Sequence, residues 1–387
     1  MSFINNIHIE ILKKSLFLVL FLSLCSCLDD VNILTNVFWE DSSTVKASTN
    51  STNLIIIGHP NVKWSAEIIE GADWCSFSET NANLLSAKGF LVDMENKVTL
   101  YFKNNSTTHS RQAKISLTLA GKDNAVFTLT QNSGFSIFTE TPSVVENDNY
   151  QYVTHYSQLH NKSVRNFSIC FDKTKQASLW VAYPIHSSYL GSTGRTDAWA
   201  FDPEINSKFQ ADCVFRSYNG NYDRGHQIAS ADRQANREMN EQTFYMSNMT
   251  PQWNRLNQDM WAKLEMRVRA NNCSDTLFVV TGAYFDPNNS TTTRDGAGNQ
   301  VSVPTHYYKV LLRTKSGTTG KAISQCSDDE LMSIGFWVEH RSYGNVEPPR
   351  SICKSIADIE AITGFTFFPM VSEKVKIQNE PAKWGVY

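Results

Sequence analysis

The chain has 387 residues, 41% hydrophobic and 19% charged, with a formal net charge of -3. This composition excludes a disordered, collagen-like or strongly basic polyanion-coating protein and leaves room for two globular domains. Any phosphate binding is therefore local, because even residues 221–270 carry seven Lys/Arg against six Asp/Glu.

At the start, Lys13 and Lys14 precede an apolar run, residues 16–24, that is too short to span a bilayer. Residues 1–26 read as a signal peptide. The segment ends Leu24-Cys25-Ser26-Cys27, which resembles a bacterial lipobox, with Cys27 as the lipidated residue. The expected location is outside the cytoplasm, lipid-anchored to the bacterial outer membrane at the cell surface or periplasmic face. Residues 27–45 read as a tether. The cysteines are at 25, 27, 75, 170, 213, 273, 326 and 353. Export permits disulfides. No CxxC or HExxH pattern occurs, which speaks against a zinc site.

Residues 46–132 read as all-β. Leu54-Ile55-Ile56-Ile57 and Val98-Thr99-Leu100-Tyr101-Phe102 are strand candidates. Residues 113–119 and 125–130 alternate apolar with polar and are joined by a glycine-containing hairpin connection. Such strands predict an immunoglobulin-like sandwich. Residues 133–147 read as a linker. Residues 148–387 form a mixed region with buried-strand candidates Trp180-Val181-Ala182-Tyr183, Leu277-Phe278-Val279-Val280-Thr281 and Tyr307-Tyr308-Lys309-Val310-Leu311-Leu312. A short helix over 355–363 stops at Gly364.

The chemistry concentrates in residues 223–265. Asp223-Arg224-Gly225-His226 ends a predicted strand. Over residues 254–270, Leu256, Met260, Leu264 and Val268 recur at four-residue steps, the buried stripe of a helix. Asn257, Trp261 and Glu265 form the neighbouring stripe. Asn257 and Glu265 are about 12 Å apart along a helix axis, so only one of them can bind a small cation directly. Asn257, nearer the helix start, is favoured as the direct ligand through its amide oxygen, with Glu265 acting through water. Magnesium suits this arrangement, being hard and retentive of water, and manganese is a possible substitute. His226 is the candidate general base.

Taken with Gly194-Arg195-Thr196, Phe201-Asp202-Pro203, Ser247-Asn248-Met249-Thr250-Pro251-Gln252 and Trp261-Ala262-Lys263-Leu264-Glu265, this region resembles the DNA/RNA non-specific endonucleases, which have a ββα-metal site. The resemblance implies His226 as base, Asn257 as metal ligand and Glu265 as the carboxylate ordering metal-bound waters. It also implies Arg195 as the stabiliser of phosphate charge in the transition state. Arg224, Asn248 and Gln252 are the candidate substrate-binding residues, the last two holding the site by hydrogen bonds. The implied fold is α+β, a ββα-metal nuclease domain with a central antiparallel sheet behind the all-β sandwich. The implied reaction is Mg2+-dependent hydrolysis of DNA and RNA to 5′-phosphate ends, with contacts to the backbone and not to base edges.

The first domain resembles a BACON module, on Trp64-Ser65, Trp74, Asn104-Asn105, Arg111 and Thr128-Leu129-Thr130-Gln131. That makes glycan a possible partner, with a plain spacer as the favoured reading. The alternative for the whole chain is a carbohydrate-binding surface lipoprotein on an inactive nuclease fold. Unperturbed, His226 would lose its base form below about pH 6.

Overall fold

The computed structural model describes residues 36–387 except 48, 106, 108 and 121–123. The signal segment and Cys27 lie outside the described residues. Nine short strands come first: β1 (Asn36–Trp39), β2 (Thr44–Val45), β3 (Ser51–Ile57), β4 (Lys63–Glu70), β5 (Cys75–Ser76), β6 (Ser86–Phe90), β7 (Glu95–Phe102), β8 (Arg111–Leu119) and β9 (Ala125–Gln131). They make two facing sheets, ordered β1-β3-β7-β5 and β2-β9-β8-β4-β6. The alternation in β8 sends Ala113, Ile115 and Leu117 inward, onto Leu54, Leu100 and Leu129 from the other strands. Trp74 belongs to this core and is covered by the Arg111 guanidinium, 4.3 Å from the ring centre.

The expected tether is corrected from residue 36 onward. β1 pairs with β3 and β2 pairs with β9, so residues 36–45 supply strands of the sandwich. These strands are short and only partly buried, and they carry little hydrophobic signal. The expected linker, residues 133–147, lacks regular structure but packs down. Phe135 is buried against Tyr152 and Trp180, and Glu140 accepts from Arg165 Nε at 2.7 Å.

The rest is built on a seven-stranded antiparallel sheet. β10 (Tyr150–Leu159), β11 (Lys162–Asp172) and β12 (Ala177–Ile185) lead to an excursion holding β13 (Tyr222–His226) and β14 (Met249–Trp253). The sheet resumes with β15 (Leu277–Tyr284), and β16 (Thr292–Arg294) and β17 (Gln300–Ser302) form a small ribbon. It closes with β18 (His306–Thr314), β19 (Leu331–Glu339) and β20 (Cys353–Lys354), in the order β10-β11-β12-β15-β18-β19-β20. Both faces are covered, which explains why its central strands read as continuous apolar runs. Val181, Tyr183, Val279 and Leu311 face one core, and their neighbours Trp180, Ala182, Val280 and Val310 face the other. Gly282 is required in β15, because an added Cβ would lie 2.3 Å from the Leu179 carbonyl oxygen and the Tyr308 hydroxyl.

The helices are α1 (Arg237–Gln242), α2 (Ala262–Ala270), α3 (Ile356–Thr363) and α4 (Glu373–Lys376). α3 matches the sequence reading, with Ser355 capping its start and Gly364 left-handed at φ 74 after its end. The expected helix over 254–270 is continuous, and its stripe Leu256, Met260, Leu264 and Val268 is buried. However, Leu256–Trp261 is wound as a π-helix before α2 begins. Such turns are rare and recur at functional sites. A four-residue apolar repeat carries no mark of the wider turn. All six cysteines among the described residues are free thiols. No described helix is long and apolar enough to cross a membrane.

Candidate active site

β13 and β14 run antiparallel in the register Asp223↔Gln252, Gly225↔Thr250 and His226↔Met249, and the helical run follows directly. This is the ββα unit. Glycine is needed at 225, because a Cβ there would lie 2.4 Å from the Gln252 Cβ. His226 ends β13 with its ring edge-on to Trp199 and Phe244, at centroid distances of 5.5 and 5.0 Å. One ring nitrogen is tied to the Arg224 carbonyl, while Nε2 is buried without a hydrogen-bond partner. Burial, then the nearby Arg195 charge, pushes the imidazole down to about 3. His226 is thus held neutral, with a lone pair available. The expectation of base loss below about pH 6 holds for an unperturbed imidazole, and burial moves that threshold down.

Two guanidinium groups flank the same tryptophan. Arg224 stacks 3.7 Å above the Trp199 ring centre and donates from Nη1 to the carbonyls of Cys213 (3.0 Å) and Val214 (3.2 Å). Arg195 lies over Phe244 at 4.8 Å and pairs through Nε with Asp197 at 2.8 Å. Both partners of that pair are about half exposed, so it is weak and the arginine fork is free to turn towards a phosphate.

Asn257 donates from its amide nitrogen to Asp223 Oδ2 at 2.9 Å, and Gln258 donates to the same oxygen at 2.8 Å. A carboxylate only accepts, so Asp223 fixes the amide with its oxygen turned away and available. Glu265 sits deeper. Burial raises its carboxyl to about 7, opposed by Lys309 and reinforced by Asp232. Asp232 in turn accepts from Arg269 and from the Tyr183 hydroxyl. No cluster of three His, Cys, Asp or Glu side chains able to hold a metal exists among the described residues. A soft or carboxylate-caged ion does not fit here. A hard cation that keeps most of its waters does fit the free amide oxygen of Asn257.

Residues 145–374 match the model of the DNA/RNA non-specific endonucleases, and residues 64–132 match a putative N-terminal binding domain, BACON. The chain belongs to the DNA/RNA non-specific endonuclease family. It is a hydrolytic enzyme of the nuclease class. Mitochondrial endonuclease G of Bos taurus is 30% identical over 221 residues, 54% of this chain and 69% of that protein. Its Homo sapiens counterpart is 31% identical over 169 residues, 40% of this chain and 55% of that protein. A solved chain from the EndoG/EndoGI complex aligns over 58% of this chain and 89% of its own length, with 22% identity and a TM-score of 0.44.

Within this nuclease β13 carries Arg224 and His226 and is tied to Asn257 through Asp223, and Arg195 lies beside Trp199 and His226 from the preceding loop. Asn248 and Gln252 are corrected as substrate contacts, since both are fully buried. Asn248 spends its amide on the backbone. It donates to the Ile228 and Thr243 carbonyls (3.0 and 2.7 Å) and accepts from Ile228 N (3.0 Å). Gln252 lies beneath Gly225 with no partner on either amide atom. Sequence reasoning missed Trp199 and Phe244, which wall the histidine. It also missed Asp223 as the residue that orients Asn257, and the charges under Glu265. Two signals could have found those charges: Arg269 one turn after Glu265, and Lys309 alone in an apolar strand.

Proposed function

We propose that this protein hydrolyses the phosphodiester backbone of DNA and RNA without sequence preference, using His226 as general base and one Mg2+ ion, and leaves 5′-phosphate ends. The observation that carries this reading is the buried, partner-free Nε2 of a neutral His226 beside two arginines with uncommitted donors. In the step, Nε2 takes a proton from water and the water oxygen bonds to phosphorus. The bond from phosphorus to the 3′ oxygen breaks, and that oxygen leaves as a hydroxyl after taking a proton from solvent. Arg195 and Arg224 donate to the phosphate oxygens as charge builds on them. Asn257 would hold the cation directly and Glu265 would order its waters. When bound, the cation supplies Lewis-acid polarisation of the phosphate.

The signal-peptide and lipobox pattern of residues 1–27 supports export and lipid anchoring through Cys27, at the cell surface or the periplasmic face of the outer membrane. The burial of Trp74 under Arg111 favours the spacer reading of the first domain over glycan capture. The test incubates the full chain with plasmid DNA and with RNA, in Mg2+ or EDTA, beside His226→Ala. Both polymers should be lost only with metal, and turnover should fall about 10²–10⁴-fold in the variant. Cleavage in EDTA, or equal rates for variant and wild type, would refute the proposal.

A further inference from the structure

Phe215 is 95% exposed, more than any other large apolar side chain among the described residues. Isolated exposed apolar residues are ordinary, so exposure alone says little. Its position says more. Val214 packs inward with Trp199 in the small core beside the site, and the Val214 carbonyl accepts from Arg224. Trp199 touches both Arg224 and His226. Phe215 is thus one residue, roughly 3.8 Å of backbone, beyond the group that anchors a phosphate-facing arginine.

The segment that carries it is fixed. Cys213 and Tyr218 are buried on either side, and Ser217 Oγ donates to the Tyr222 carbonyl at 3.1 Å. Asp212 N donates to the Asp295 carboxylate at 2.9 Å. A bare phenyl ring is held out to solvent by a pinned loop, with exposed Arg216 next to it. This combination, a cation for the phosphate and a flat apolar face beside it, suits a strand whose bases are unpaired.

Resting on the nuclease reading above, we propose that Phe215 is a stacking platform for a nucleobase flanking the scissile phosphate, so that this rim prefers single-stranded or locally opened substrate. Stacking on a ring face is tolerant of base identity, so the platform adds affinity without sequence preference.

The test measures binding, not cleavage, and so is independent of the catalytic assignment. Labelled dT12 and an abasic 12-mer of the same backbone are titrated in EDTA with the full chain, with Phe215→Ala and with Phe215→Trp, reading fluorescence anisotropy. Phe215→Ala should weaken dT12 about fivefold or more, the loss of one base stack, and leave the abasic strand unchanged. Phe215→Trp should keep wild-type affinity. An equal loss on both strands, no loss on dT12, or no binding of dT12 by the wild type would overturn the proposal. Base-dependent loss in a protein that fails the plasmid and RNA assay would leave the platform standing and remove the nuclease reading instead.

Discussion

Asp223 is the sharpest place to test how the site works, because its carboxylate sets the direction of the Asn257 amide. Replacing it with alanine removes the acceptor that holds the Asn257 and Gln258 amides. Freeing the Asn257 side chain costs about 0.5–1.5 kcal/mol when it must be ordered again on a cation. The charge-assisted bond that set its direction contributes at least another ~1 kcal/mol at this half-buried position. Together these predict a loss of about 1.5–2.5 kcal/mol in cation affinity, or roughly a 10- to 60-fold rise in the Mg2+ concentration giving half-maximal rate. Turnover at saturating Mg2+ should stay within several-fold of wild type, because enough ion restores the geometry. Asp223→Asn keeps an acceptor oxygen without the charge and should fall between the two. The assay is initial rate of plasmid nicking against Mg2+ concentration. An unchanged midpoint in Asp223→Ala, or Asp223→Asn no better than Asp223→Ala, would refute the argument.

His226 should make stability fall with acid. Its folded form stays neutral to about 3, while the unfolded chain takes up the proton below about 6.5, so the stability is present above that value and lost as pH falls. Urea midpoints in EDTA at pH 7 and 5 should therefore differ more for wild type than for His226→Gln, and equal differences would refute this. Glu265 works in the opposite sense, its stability fading as pH rises through about 7, but it is common to both proteins and cancels in the comparison. Asn248→Ala strands three buried backbone groups and should cost about 3 kcal/mol or more in urea unfolding, at about 1–3 kcal/mol per unmet group; a loss below ~1 kcal/mol would contradict the brace. Gly225→Ala should cost about 1–3 kcal/mol, because the new methyl overlaps the Gln252 Cβ, and should lower turnover as well; a folded, fully active variant would refute the packing argument.

Much of this molecule is legible in its sequence, and the rest is hidden for identifiable reasons. Strands β8 and β9 are readable because one face is wet, and β12, β15 and β18 because both faces are buried. β1 and β2 are not readable, since two to four half-buried residues give no periodicity. At the site, Arg195 is marked only by the family resemblance, while His226, Asn257 and Glu265 stand out by residue type and spacing. The division of labour does not. Arg224 and Asn248 are both polar residues in similar motifs, yet Arg224 keeps donors free above Trp199 while Asn248 is sealed against backbone. Exposure separates them, and exposure is a tertiary property. The walls Trp199 and Phe244 are ordinary aromatics until the fold brings them to the imidazole.

The charges beneath the site follow a related logic. Lys309 is buried in the middle of β18, donating to Thr281 Oγ1 at 3.1 Å and lying 4.6 Å from the Trp261 ring centre. Arg233 is buried as well, with its donors spent on Asn166, Pro184 and its neighbour Asp232. Such groups are costly to desolvate, and removing one partner leaves an unpaired charge costing about 3–5 kcal/mol. A network of that kind is a weak source of net stability, and hydrophobic packing would serve the sheet at least as well. What it does provide is a fixed field under Glu265, in which Lys309 favours the ionised carboxylate while burial and Asp232 oppose it. The upper layer is different in kind, because His226 Nε2 has no partner and Arg195 holds only an exposed salt bridge. The lower layer has its cations committed to protein partners, whereas the upper one keeps bonding capacity unspent, so on the proposed function a protein of net charge -3 meets a polyanion through local donors and not through a global field.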